Sequence, residues 1–453
     1  MHELTALSTT GSLGWVPCGE VSFEGALALE PDFIGAQHGS SDCGPLYLGA
    51  EVPSSLRKWE KHDLQLMLTE ARRREIPMIV GGAGGMGTRQ GVDRTVELIR
   101  EIAHEQGLSF TMGVIYADQD AGYLNEKLRQ GAIAPLGIRE PLTEATIEGA
   151  RTIVAMMGVE PIIDALDRGA NVVIAGRCTD PAIYAAIPIR AGFDPGLAWY
   201  MGKVLECGSL STDPPSLTDA NTGRIGDHQV IFEPGDPARR CTVGSVASHT
   251  LYERPRPTPQ LEPGGLLDLS ELQLDPVSDR AVRARGAKFV PRPYSVKLEG
   301  ATRRGFRAFA INGTRDPIMI SEIDTIAAQL EAEVKARVPG AGSEYELFTH
   351  LYGKNAIMGD LEPRTTELPH ELCIMVQVVA QTEELAIEAA EMANHLLFDF
   401  PFEGLKTTAG NVASLGSLEV FLPQYKEVYE FTIDHEMLLD DPLECFETTL
   451  ETV

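Results

Sequence analysis

The sequence is poor in basic residues. It has 38 Lys and Arg against 66 Asp and Glu, which gives a formal net charge of −28 over 453 residues. A surface of this charge repels phosphate backbones and anionic lipids, so neither a nucleic-acid partner nor a membrane-surface role is expected. A local basic pocket for an anionic substrate is still compatible with this composition.

Long hydrophobic stretches are also missing. Residues 1–16 have neither a basic start nor a continuous apolar run, which argues against a signal peptide. No segment approaches the roughly 20 apolar residues that cross a bilayer. The expected location is therefore the cytoplasm.

Cysteines are few and scattered. The seven cysteines form no CxxC pair, which argues against a zinc ribbon or an iron–sulfur cluster and favours reduced thiols. A GxSxG elbow, an HExxH helix and a Walker loop are absent too. The sequence itself identifies no cofactor.

What is present is an alternation of short apolar runs with amphipathic helices over the first 200 residues. Such alternation predicts right-handed crossovers and a mostly parallel sheet covered by helices on both faces. Thr143–Met157 is predicted as a helix, and the stretch around Cys241–Thr250 is predicted as short strands. The strands predicted in the first part are Pro31–Gln37, Ile76–Val80, Ser109–Ala117 and Asn171–Gly176.

The amino-acid composition and the pattern of predicted elements change twice along the chain. Residues 209–223 and 254–265 are rich in Pro, Ser and Gly, and the last third has the order strand–helix–strand–strand–helix–strand. The predicted fold class is α/β, with a parallel α/β domain at 1–208 and a β-rich connecting segment at 209–300. A ferredoxin-like α+β domain is predicted at 301–453, with Val428–Ile433 as its final strand.

A glycine-rich loop follows the predicted strand IPMIV and precedes a helix. Gly82, Gly84, Gly85 and Gly87 match the GxGxxG pattern, which lets a backbone approach a phosphate or a carboxylate. The alternative is a tight structural turn. A nicotinamide site is disfavoured because the next strand-end acid, Asp118, lies beyond the usual spacing of a ribose-binding carboxylate.

A second loop after a predicted strand offers several reactive groups. It contains His38, Ser40, Ser41, Asp42 and Cys43 within six positions. His38 and Asp42 are candidate acid–base residues, and the two serines are candidate substrate-binding residues. The alternative is a turn before a proline in which these side chains bond the loop backbone.

Two further strand ends carry charged residues. Arg177 could clamp a carboxylate while Asp180 acts as a base, or the two could form a structural pair with Asp180 capping a helix. Asp118 and Asp120 suggest either a divalent metal site or a solvated loop. Because parallel strands end at one edge of a sheet, all four loops are expected to converge on one cleft.

Weaker signals lie further along the chain. Lys203 and Glu206 are three residues apart, which is typical of a simple helical ion pair. His249 and the segment Lys297–Gly300 are single charged or polar groups, and a lone histidine more commonly has a structural role.

Nine segments stand out by their order and spacing along the chain: GSSDCGPLYLG, IPMIVGGAGGMG, MGVEPIIDALDRGANVVIAGRCTDPA, GFDPGLAWYMGKVLECG, CTVGSVASHTLYE, YSVKLEGA, INGTRDP, YGKNAIMGDLEP and TTAGNVASLG. Together they resemble the acyclic terpene utilisation (AtuA-like) family from about Asp32 to about Pro442. Similar proteins often carry GSTDPGP at Gly39–Pro45, so Ser41 and Cys43 are departures, and Leu405 stands where an Arg is common.

The resemblance implies a catabolic protein for branched acids or terpenoids, with Asn411 of the TTAGN segment as a further binding residue. A small partner subunit and a homo-oligomer are expected. The leading hypothesis is an enzyme that acts on a small or branched carboxylic acid or its acyl-CoA by proton transfer, as a hydratase, lyase or isomerase. The alternatives are a non-catalytic acyl-CoA-binding subunit, and a hydrolase in which His38 activates Cys43 or Ser41.

Overall fold

The computed structural model describes residues 3–254, 256–364, 366–406, 411–417 and 426–453; the side chains of Asp42 and of residues 415–417 lie outside this description. The strands are β1 (Leu4–Ser8), β2 (Phe33–Gln37), β3 (Met78–Gly81), β4 (Thr111–Tyr116), β5 (Ile133–Pro135), β6 (Thr152–Met156), β7 (Val172–Ala175), β8 (Asn221–Ile225), β9 (Val230–Pro234), β10 (Pro259–Glu262), β11 (Gly265–Asp268), β12 (Gln273–Pro276), β13 (Val282–Arg285), β14 (Lys288–Pro291), β15 (Ser295–Thr314), β16 (Tyr345–Tyr352), β17 (Leu372–Ala380), β18 (Ala413–Ser417), β19 (Glu427–Leu438) and β20 (Glu447–Thr452).

The helices are α1 (Glu20–Leu27), α2 (Pro45–Ala50), α3 (Arg57–Arg73), α4 (Arg89–Gln106), α5 (Ala121–Arg129), α6 (Glu144–Gly149), α7 (Glu160–Asp167), α8 (Ala182–Arg190), α9 (Pro195–Leu205), α10 (Val243–Thr250), α11 (Pro317–Ser321), α12 (Ile323–Arg337) and α13 (Glu383–Phe398). Within the described ranges, no helix has both the length and the apolar composition needed to cross a bilayer.

The chain forms two compact units. The first contains residues 1–302 and 431–453, and the second contains residues 303–430. The boundary falls inside β15 and β19, so each of these strands contributes one part to each unit.

The main sheet of the first unit has ten strands in the order β12-β13-β9-β8-β1-β2-β3-β7-β4-β20. Its central five strands, β1-β2-β3-β7-β4, are parallel, and the outer pairings are antiparallel. Every residue of β2, β3 and β7 is buried, as expected for strands covered by helices on both faces. The fold is therefore the predicted α/β class with a partly parallel sheet flanked by helices.

Two smaller sheets complete the first unit. Residues 297–301 of β15 pair with β6, and residues 435–437 of β19 pair with β5. The strands β10, β11 and β14 form an antiparallel sheet of three. Residues 209–300, predicted as a separate connecting segment, thus supply β8, β9, β12 and β13 to the main sheet, and the C-terminal β20 joins it beside β4.

Two predicted elements differ from the structure. The helix predicted at Thr143–Met157 is the short helix α6 followed by β6, because the β-branched segment TIVAM pairs with β15. The strands predicted around Cys241–Thr250 are the helix α10, which starts at a capping box formed by Thr242 and Ser245.

The second unit has an antiparallel sheet in the order β16-β17-β15-β18, with α12 and α13 contributing to its core. From β15 to β18 its elements are a strand, the two consecutive helices α11 and α12, two strands, the helix α13 and a strand. The fourth strand is Ala413–Ser417, and the predicted final strand Val428–Ile433 lies within the long β19.

Candidate active site

The loops after β2, β3 and β7 lie together at one edge of the main sheet. The backbone N–H of Gly84 donates to Nδ1 of His38 at 3.0 Å, and the N–H of Arg177 donates to the carbonyl of Gly87 at 3.1 Å. The loop after β4 joins them, because Gly176 packs against Ala117. This convergence follows from the parallel direction of the four strands.

The glycine-rich loop allows its backbone to pass close to the backbone of Gly39 and of Arg177. Residues 81–88 are all buried, and Gly82, Gly84, Gly85 and Gly87 all have positive φ. The N–H groups of residues 82–85 donate to the carbonyls of Gly176, Ala175 and Gly82 and to the His38 ring. These four amides have protein acceptors, which favours the structural-turn alternative for residues 82–85, and anion binding by this loop stays a prediction.

We expect Gly87→Ala to destabilise the protein far more than Gly107→Ala. Both glycines have left-handed φ values, 66° and 62°, so alanine pays a similar backbone cost of about 1 kcal/mol at each. A Cβ at Gly87 would lie 2.1 Å from the Arg177 nitrogen, whereas no described atom lies within 4 Å of a Cβ at Gly107. Urea unfolding should give a further loss of roughly 3 kcal/mol or more at Gly87 alone. Equal losses at the two positions would contradict the close contact between residue 87 and the Arg177 backbone.

His38 is buried and engaged at both ring nitrogens. Its Nδ1 accepts from the Gly84 N–H, and its Nε2 lies 3.0 Å from the Ser55 hydroxyl. Burial lowers the pKa of the imidazole, so the neutral form is favoured. These contacts favour a structural role for His38 over the predicted acid–base role, which stays a prediction.

The other candidates separate into three groups. Ser40 and Ser41 line a cavity described below, and the side chain of Asp42 lies outside the described part of the chain. Asp120 caps helix α5 by accepting from the Tyr123 N–H at 3.1 Å. Asn411 belongs to the second unit, where its carbonyl accepts from the Thr314 hydroxyl.

The first unit contains a cavity of about 650 Å³ next to these loops. Such a volume is within the range of small-molecule sites. Arg177 and Asp180, predicted from the sequence, both line it. Its other charged residues are Arg139, Lys203, Glu206, Glu253, Glu262, Lys297, Asp434 and Glu436.

A chain of alternating charges runs beside the cavity, and its members Arg177, Asp180, Lys297 and Asp434 line it. Arg177 Nε lies 2.7 Å from Glu299 Oε2, and Lys297 Nζ lies 2.9 Å from Glu299 Oε1 and 3.2 Å from Asp434 Oδ1. Arg177 also faces Asp180, with 3.5 Å between Nη1 and Oδ1. Burial opposes ionisation of Glu299, but the charges of Arg177 and Lys297 outweigh it and lower the pKa of this carboxyl to about 2.

Glu262, at the end of β10, has a pKa shifted in the opposite direction from that of Glu299. It is only 2% exposed and accepts hydrogen bonds from the Thr179 hydroxyl at 2.8 Å and from the Gln260 amide at 2.7 Å. Burial raises its pKa to about 7, although the Thr179 hydrogen bond opposes the rise. Glu262 can therefore change protonation state near neutral pH.

Lys203 and Glu206 form the ion pair predicted from their spacing. The pair is 2.5 Å between Nζ and Oε1, and both side chains are almost fully buried. The i, i+3 spacing predicts the pair but not its burial. Both residues line the cavity.

Sequence reasoning missed Glu262 and included Glu299 only as part of the weak signal Lys297–Gly300. Glu262 lies in a Pro-rich segment that indicates a connection, and Glu299 lies in a long strand that carries several other charges. A buried carboxylate gives no local sequence signal, because its partners, Thr179 and Arg177, are far away along the chain.

Comparisons with known proteins identify the family. A sequence profile for the acyclic terpene utilisation family protein AtuA matches residues 54–429, most of the chain. A segment of 75 residues, 17% of the chain, is 40% identical to phosphoribosyl-ATP pyrophosphatase from Haloarcula marismortui and covers 70% of that protein. No solved structure matches the chain.

Proposed function

Because the chain belongs to the acyclic terpene utilisation family, AtuA, we propose that its polar cavity is the active site of a catabolic enzyme. The proposed substrate is a branched carboxylic acid or its CoA thioester. The proposed reaction class is proton transfer, that is hydration, elimination or isomerisation.

The observation that carries this proposal is Glu262. A group whose pKa is about 7 is present in both protonation states at neutral pH, which is the condition for an efficient general acid or base. Buried carboxyls whose pKa is shifted toward neutrality in a cavity are candidates for catalysis. Glu262 takes the place of His38 as the leading acid–base residue.

Asp180 is the proposed second carboxylate. It lines the same cavity and is held by Arg177 at 3.5 Å and by the Gln37 amide at 3.4 Å. Hydration and elimination each need one group that accepts a proton and one that donates it. Glu262 and Asp180 would supply this pair.

The cavity also has groups for binding such a substrate. Lys297 and Arg139 are cations with partly exposed side chains, 34% and 40%, so they would receive the carboxylate or phosphate. Arg177 is only 3% exposed and already neutralised by Glu299, so it is proposed to position Asp180 rather than clamp the anion. Apolar contacts for a hydrocarbon would come from Leu136, Met156 and Val296.

The experiment is turnover in D₂O. The purified chain is incubated with CoA thioesters of acyclic terpenoid acids, and the products are analysed by mass spectrometry. Hydration and elimination change the mass of the substrate by one water, and isomerisation incorporates deuterium when the acid–base group exchanges its proton with D₂O, so a water-mass change or deuterium incorporation is expected. Heat-denatured protein gives the background.

The same experiment addresses the second hypothesis, a subunit that binds an acyl-CoA without transforming it. Ligands are screened in parallel by thermal shift, since a ligand at a hundredfold excess over its Kd stabilises the folded state by about 2.7 kcal/mol. A thioester that stabilises the protein but never exchanges a proton would favour the binding subunit and overturn the enzyme proposal.

A further inference from the structure

Three potential metal ligands meet beside the end of helix α9. They are Glu206, Cys207 and His249, and one ligand atom from each lies within 4.8 Å of the other two. Glu206 and His249 are 3% and 5% exposed. In the part of the chain that the structure describes, no other group of three such side chains comes this close, and Asp118 and Asp120 belong to none.

The orientation of His249 is a second, independent observation. Its imidazole hydrogen-bonds the backbone of Lys203, and its Nε2 is buried with no hydrogen-bond partner among the described residues. The ring is also stacked against Tyr252, with 5.7 Å between centroids. Metal-bound histidines typically donate one ring N–H to a backbone carbonyl and present the other nitrogen to the metal.

The set of donors fits zinc. Thiolate, imidazole and carboxylate are its usual protein ligands, and catalytic zinc sites commonly have three of them and an open fourth position. Bond lengths of about 2.0–2.3 Å place the ligand atoms of a tetrahedral site roughly 3.3–3.8 Å apart, so shifts of about 1 Å would suffice. We propose that Glu206, Cys207 and His249 bind one Zn²⁺ ion.

The surroundings allow both access and charge balance. His249 lines a second cavity of about 330 Å³, which gives the ion a path, while Glu206 lines the main cavity. Lys203 donates to Oε1 of Glu206, so the proposed zinc ligand on this residue is Oε2. The Cys207 thiolate and the Glu206 carboxylate oppose the two charges of zinc, and Glu253 is a further negative charge that acts on Lys203. The proposal does not depend on proton transfer by Glu262.

The test uses the full chain, treated with a chelator and then loaded with ZnCl₂ or CoCl₂. After desalting, mass spectrometry of the elements should find roughly one zinc ion per chain. Cobalt should give a thiolate-to-metal charge-transfer band. Cys207→Ser and His249→Gln should each weaken zinc affinity at least tenfold, whereas Cys373→Ser and His228→Gln should leave it unchanged.

Circular dichroism and thermal unfolding of the metal-free variants show whether each one folds. A parent protein that retains no zinc at micromolar concentration would overturn the proposal. A cobalt spectrum without the thiolate band would overturn it too, and so would a folded Cys207→Ser variant with parental affinity. These readouts need no substrate, so they fail or succeed independently of the proposed reaction.

Discussion

Replacing Glu262 by glutamine is expected to lower kcat by about 10²–10⁴-fold, the usual contribution of a general acid or base. The amide keeps the size of the side chain and can still bond to Thr179, so the cavity should retain its shape. Because only proton transfer is removed, KM should change much less than kcat. The initial rate of deuterium incorporation, measured over a range of thioester concentrations, gives both constants.

Glu253→Gln is the matched control, because Glu253 lines the same cavity but is exposed. It should keep at least half of the parental rate. Comparable losses in the two variants would assign the effect to the charge of the cavity and would remove Glu262 from the proposed mechanism.

The same substitution should make the protein more stable in alkaline solution. The pKa of Glu262 is raised from 4.5 to about 7 on folding, so its contribution to stability is fully present below pH 4.5 and is lost as pH rises through 7. Glutamine cannot ionise, and its advantage over the parent should grow to roughly 3 kcal/mol by pH 9. Lys203, Arg254 and Asp180 are the charged groups that act on Glu262 and remain in both proteins.

Urea unfolding of both proteins at pH 5, 7 and 9 measures this difference. A constant difference across the three values would mean that Glu262 titrates normally, and its selection as the proton-transfer group would then lose its basis. Lower activity combined with higher stability is the pattern expected where an active site holds a buried ionisable group.

The position of the site could be predicted from the sequence, but its chemistry largely could not. Loops after parallel strands must lie at one edge of a sheet, so the strand order alone predicts that Ser41, Arg177 and Asp180 lie close together. All three line the cavity. The glycine-rich loop fits the GxGxxG pattern equally well whether it binds an anion or packs against Gly39 and Arg177. Only the acceptors of its amides distinguish the two.

The dependence on long-range contacts also explains the errors in the predicted fold. TIVAM has the apolar content of a buried helix turn and of a buried strand, and its pairing with β15, about 145 residues further along the chain, decides between them. The sequence around His38 is likewise compatible with an accessible acid–base histidine and with a buried structural one. Long-range contacts determine burial, and burial determines which ionisable groups have shifted pKa values.

A large loss of stability is expected from Arg177→Met, which removes the cation between Glu299 and Asp180. Glu299 is 2% exposed and would keep Lys297 as a cationic partner after losing Arg177. It would therefore remain buried and ionised with one of these two positive charges instead of both. Removing one partner of a buried ion pair typically costs about 3–5 kcal/mol. Urea unfolding at pH 7 should show this loss in the free energy of unfolding.

The double variant Arg177→Met/Glu299→Gln should recover most of that loss, because it removes the uncompensated charge and Lys297 keeps Asp434 at 3.2 Å. Acid titration gives an independent check. The pKa of Glu299 falls from 4.5 to about 2 on folding, so its stabilisation is complete above pH 4.5 and is lost as pH falls through 2. Arg177→Met should lose less stability than the parent over that interval. Parallel curves would mean that Arg177 is not what keeps Glu299 ionised, and its role in positioning Asp180 would then have no electrostatic support.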